Sequence, residues 1–140
     1  MSFEIVNPAS LGRPSGWSHG LLASAGGRVL FVAGQTAATG GGVATTDFVS
    51  QFRLALEKVL TVVRAAGGSP EDVGRFTIYV TDLDVYRASR KPLGVAYQSL
   101  MGTHYPAMAL VEVKRLVDAG VLVEIEATAV VRDASDAAGA

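Results

Sequence analysis

Cysteine is absent from this 140-residue chain, which excludes disulfide staples, thiolate chemistry and any cysteine-ligated metal. There are only two histidines, His19 and His104, and no pair in the sequence has the spacing of a metal site, so no metal is expected. No apolar run approaches the ~18 residues of a membrane-spanning helix. The first residues, MSFEIVNP, have neither a charged leader nor an apolar core, so nothing directs export and a cytoplasmic location is expected. Charge of one sign is lacking too. A net charge of −1 and a pI near 6.1 leave no electrostatic footprint for nucleic acid or an anionic membrane. The glycine clusters Gly26-Gly27 and Gly40-Gly41-Gly42 precede no GK[ST] and have no dinucleotide-binding context, so they read as turn chemistry.

What the chain has in quantity is apolar surface: 49% of residues, with a mean hydropathy of +0.34. Its length suits one domain with a single core, expected over residues 1–133, with 134–140 a tail that has little to pack. An apolar surplus without a membrane span points to burial against other subunits.

The stretch 105–131 organises the rest. From Val121 to Val131, Val121, Val123, Ile125, Ala127 and Ala129 face one way and Glu124, Glu126 and Thr128 the other, the period of a strand with one face in a core. A carboxylate in so apolar a setting is solvated, paired or working, and Glu124 is the residue for which that choice matters. Upstream, Phe3–Val6 reads as a short strand and 7–20 as an ordered loop around Trp17. Residues 21–24 and 28–33 read as a hairpin about Gly26-Gly27, and 36–46 as a flexible surface loop. A helix capped by Thr46 or Asp47 runs to about Ala66, followed by a capped turn at Ser69-Pro70-Glu71-Asp72 and a strand over 75–81. A second helix from Asp82 or Asp84 to Gly102 contains Pro92 and Gly94, which predict a kink or break near residue 91. The order is β-β-β-α-β-α-β-β: an α+β fold with a mixed sheet and two helices on one face. The uncovered face is apolar, and self-association would cover it.

Six segments in this order carry a resemblance: Gly16-Trp17-Ser18-His19-Gly20, FVAGQ at 31–35, AAGGSPEDV at 65–73, FTIYVTDL at 76–83, YPAMALVEV at 105–113 and VEIEATAV at 123–130. Together they resemble the RidA/YjgF family of small trimeric proteins across residues 3–131. The resemblance implies a chorismate-mutase-like protomer, a homotrimer centred on a barrel, and small-molecule clefts between subunits. It also implies hydrolysis of enamines and imines of amino acids to keto acids and ammonia, with neither metal nor organic cofactor. Carried over residue by residue, Glu124 is the water-positioning acid and Trp17 the aromatic residue of the N-terminal loop. Ala33 and Gly34 form a pocket wall, and Met108 and Ala109 follow the Pro-Ala of the penultimate strand. At Met108 the family has an arginine that grips a carboxylate. Methionine offers only dispersion and a weak sulfur acceptor in place of a bidentate, charge-assisted fork.

Each candidate also has a plainer reading. Glu124 is either the water-positioning acid or a satisfied carboxylate on a sheet face, and Glu126 is more naturally structural. Trp17 either stacks on a ligand or anchors its loop. His19 is either an acid or base of the site or a hydrogen-bonded loop residue. Arg87, Arg90 and Lys91 are either a solvated helix face or, through one of them, the substitute for the missing arginine; Arg90 is the candidate retained. The expected function is hydrolysis of an imine, enamine or related C–N bond in a substrate unlike the usual 2-imino acids. The rival is a non-catalytic, ligand-binding homotrimer. A ribonuclease reading would need a basic, aromatic-interleaved surface that the sequence lacks.

Overall fold

The computed structural model describes residues 3–132, so the tail expected at 134–140 lies outside the described residues. Three helices pack against a four-stranded mixed sheet, and two small antiparallel pairs flank them.

The sheet has the order β3 (Arg28–Gln35), β8 (Val123–Val131), β6 (Val73–Val80), β7 (Ala107–Glu112). β8 runs antiparallel to both its neighbours, while β6 and β7 are parallel. The alternation seen in the sequence governs β8: Val123, Ile125, Ala127, Ala129 and Val131 are all buried, and the residues between them are half-buried on the opposite face. Val73, Phe76, Ile78 and Val80 of β6 join them, and the resulting layer is the inner face of the core.

Helix α1 (Phe48–Ala65) covers that layer. Its Phe48, Phe52, Ala55, Leu56, Val59, Leu60 and Val63 form the buried stripe. Asp47 caps it by accepting from the Ser50 N–H at 2.9 Å. Gln51 is the buried exception. Its amide donates to the carbonyls of Thr45 (2.9 Å) and Gly120 (3.0 Å) and accepts from the Leu122 N–H (2.9 Å), tying the loop before α1 to the entry of β8. The turn at 70–72 is capped as expected, with the Ser69 N–H donating to Asp72 at 2.8 Å.

The break expected near residue 91 falls at Ser89, between α2 (Leu83–Ala88) and α3 (Arg90–Met101). Pro92 accounts for the break, because its ring would clash with the carbonyl four residues back. Restarting the helix at Arg90 puts the proline in a first turn, where no N–H is missed. The hairpin expected about Gly26-Gly27 does not form as such. β2 (Gly20–Ala23) pairs with β1 (Phe3–Val6), whereas β3 pairs with β8, so the glycine turn passes the chain between two sheets. The loop expected at 36–46 contains a minimal pair, β4 (Ala38–Thr39) with β5 (Gly42–Val43).

The sheet surface turned away from the helices carries Val29 and Phe31, which are 57% and 80% exposed. No helix of the described residues is long and apolar enough to cross a membrane.

Candidate functional site

Glu124 lies on that open face, in one row with Tyr79 of β6 and Val111 of β7. Its neighbour on β3 is set by a bulge: Val32 pairs with Ala127 and Gln35 with Ile125, so Ala33 and Gly34 together oppose Glu126. The bulge brings the Gly34 backbone beneath the Glu124 side chain, so closely that a Cβ on Gly34 would stand 2.5 Å from Glu124 Oε1 and 2.8 Å from its Cδ. Only glycine leaves that carboxylate where it is. Among the described residues Glu124 has neither a hydrogen-bond partner nor an ion pair.

Glu126, one row away, is engaged: the Tyr79 hydroxyl donates to its Oε1 at 2.9 Å. That hydrogen bond pushes the Tyr79 phenol above its ordinary 10.0, with burial and the negative charges of Glu126 and Glu124 adding to the effect.

A second group of residues gathers on the helix side of β7. Met108 lies level with the buried Phe76, and Leu110 with Ile78, so both point towards the helices. There they line a cleft of about 440 Å³ with Phe52, Leu93, Tyr86, Tyr97 and Tyr105. Tyr97 and Tyr105 are stacked with ring centroids 5.3 Å apart. Burial raises the Tyr97 phenol far above the ordinary tyrosine range, and its hydroxyl donates to the His104 carbonyl at 2.6 Å. Trp17 closes one side and Arg90 stands on the rim, its guanidinium carbon 5.9 Å from the centre of the Tyr86 ring. The Trp17 loop is held by its neighbour: the Ser18 hydroxyl donates to the Tyr105 carbonyl at 2.6 Å and the Ser18 N–H to the Pro106 carbonyl at 3.2 Å. Beyond Trp17 a larger cleft of about 950 Å³ runs between the N-terminal segment and residues 101–105.

A model of the family described as Endoribonuclease L-PSP matches residues 10–131. The chain belongs to this family, also known as YjgF/RidA. It is 35% identical over 105 residues to a RutC family protein of Pyrococcus horikoshii, covering 74% of this chain and 79% of the relative. To a protein of Salmonella typhimurium named 2-iminobutanoate/2-iminopropanoate deaminase it is 35% identical over 94 residues, or 65% of this chain and 70% of the relative. The crystal structure of a Rid-family protein of Yersinia pestis superposes with a TM-score of 0.80 at 31% identity, covering 94% of this chain and all of the other.

Within this YjgF/RidA chain the sequence-predicted residues fall into two sets. Trp17, Arg90 and Met108 share the helix-side cleft. Glu124 and Gly34 meet on the open face, with Ala33 exposed beside them. Ala109, predicted alongside Met108, is level with Thr77 and on the Glu124 side of the sheet. His19 lines neither cleft. Its backbone N–H donates to Asn7 at 2.8 Å, its Nε2 lies 3.1 Å from the Gly12 carbonyl, and its ring packs edge-on against Trp17 with centroids 4.6 Å apart, so it braces the loop. His104 has a comparable role, with Nε2 2.7 Å from the Val73 carbonyl. Phe52, Tyr86 and Tyr97 fall at helical spacing, which by itself reads as an ordinary apolar stripe. The excess of tyrosine there was the available signal, because a phenol asks for a polar partner that a closed core seldom supplies.

Proposed function

We propose that this protein hydrolyses the C=N bond of a small imine, or of the enamine in equilibrium with it, releasing ammonia and a carbonyl product. Glu124 holds and deprotonates the attacking water. The water oxygen bonds to the imine carbon while the C=N π electrons move to nitrogen. Glu124 returns the proton to that nitrogen, giving a neutral carbinolamine, which then collapses: Glu124 takes the hydroxyl proton and passes it to nitrogen as the C–N bond breaks, so that ammonia leaves and the carbonyl forms. Nothing is oxidised or reduced. Support from the relatives is the deaminase name carried by the Salmonella protein. The observation that carries the reading is the Glu124 carboxylate lying against Gly34 with no ion pair among the described residues.

The proposal includes a homotrimer with clefts shared between copies. Met108 and Glu124 lie on opposite faces of one sheet, so a single protomer cannot offer both to one ligand. A second copy laid on the open face would bring its own helix-side cleft near Glu124 and cover Val29 and Phe31.

The test is formation of keto acid and ammonia from imines generated in place by an amino-acid oxidase, with the mass in solution measured in parallel. Turnover by wild type that Glu124→Ala abolishes supports the proposal. Activity present only in Met108→Arg would place the native substrate outside the 2-imino acids. A mass of one protomer would remove the shared cleft. Methionine at the arginine position favours one rival, a trimer that binds small ligands without turning them over; silence of all three proteins would select it.

A further inference from the structure

The helix-side cleft combines an apolar body with one uncompensated cation. Its walls are mainly aromatic and aliphatic, and Arg90 is the only charged residue among those that line it. Among the described residues Arg90 has no ion pair; its recorded contact is the Tyr86 ring. The Tyr97 hydroxyl already donates to the His104 carbonyl, and that of Tyr105 accepts from the Gln98 amide at 3.2 Å. Arg90 is the one cationic donor among the lining residues, and its planar fork suits a carboxylate.

Volume narrows the choice further. A cavity of about 150 Å³ is enough for benzene. At about 440 Å³ in the single chain, the cleft has room for a ring together with a small polar head. Methionine matters here as well. An arginine at position 108 would set its charge among Phe52, Ile78 and Leu110, whereas methionine leaves that depth apolar and Arg90 keeps the charge at the rim.

We infer that the cleft recognises a monoanionic 2-imino acid with a large, flat apolar side chain. Its carboxylate pairs with Arg90, and its ring lies against Tyr97, Tyr105 and Met108. This deepens the imine-hydrolase reading of the same site and rests on it for the imino group, while the binding chemistry is tested separately.

The probes are phenylpyruvate, the stable keto-acid counterpart of such a ligand; 2-oxobutanoate, which lacks the ring; and phenylacetamide, which lacks the charge. Equilibrium binding is measured in wild type, Arg90→Gln and Arg87→Gln, the last being a helix cation that does not line the cleft. Phenylpyruvate is expected to bind at least about tenfold tighter than 2-oxobutanoate. Arg90→Gln is expected to weaken phenylpyruvate by about 10- to 100-fold while leaving phenylacetamide and the fold unchanged. Arg87→Gln should behave as wild type. Equal binding of phenylpyruvate by wild type and Arg90→Gln, or equal binding of the two keto acids, overturns the inference. Arg90-dependent binding of phenylpyruvate by a protein that turns over no imine upholds it and rejects the hydrolase reading. Turnover of small imines with phenylpyruvate indifferent to Arg90 does the reverse.

Discussion

Met108 is level with Phe76, and Glu124 with Tyr79, on the strand that lies between them. Phe76 and Tyr79 are three positions apart on β6, so the two side chains project from opposite faces of the sheet. If catalysis needs both faces, two chains must supply them. Refolding an equal mixture of Glu124→Ala and Arg90→Glu, each inactive alone, should then restore about one quarter of wild-type turnover, the share of clefts that draw both intact halves. No recovery in a mixture shown to co-assemble would mean that each chain holds its own complete site.

Gly34→Ala is a local test of the carboxylate. The nearest atoms to the added methyl are Oε1, Cδ and Cγ of the Glu124 side chain, which is flexible, so the fold yields little. Turnover should fall by at least about tenfold, since a small misplacement of a catalytic group is costly. The melting temperature should stay close to wild type. Full activity in this variant would show that the position of Glu124 over Gly34 is incidental.

Gln51→Leu keeps the volume of a fully buried side chain but strands the carbonyls of Thr45 and Gly120 and the N–H of Leu122. The cost is about 2–4 kcal/mol, read as a lower denaturation midpoint with an unchanged slope. A variant as stable as wild type would mean that water or a shifted loop satisfies those groups.

Asp47 supplies a pH dependence whose sign is fixed. Its carboxyl lies below the ordinary 3.8 because it accepts from the Ser50 hydroxyl and backbone N–H. The folded pKa is depressed, so the stabilisation is fully present above 3.8 and is lost as the pH falls through the folded value. Asp47→Ala should therefore melt below wild type at neutral pH, with the gap closing as the solution is acidified past that range. A gap independent of pH would assign the effect to helix propensity rather than to the cap.

Much of the fold was legible because local chemistry and tertiary structure agree. The alternation in 121–131, the Asp47 cap and the Ser69 turn each have a mechanism within a few residues, and each forms as read. The partner of β2 was not legible: a Gly-Gly turn signals a reversal of direction without saying which strand lies alongside. The approach of Gly34 to Glu124 depends on a bulge, and a bulge is decided by pairing across a long sequence separation. The cleft walls were hidden for another reason. Helical periodicity reports which side chains leave solvent, and it cannot say whether they close on one another or stop short around a cavity.

The two faces of the sheet also bear on how such a protein can diversify. The thickness of a single β-layer separates the surface that selects a molecule from the carboxylate that would act on it. Substitutions around Met108 and Arg90 can alter what is admitted without disturbing the bulge beneath Glu124, so a lineage can try new substrates while its reactive group stays in place.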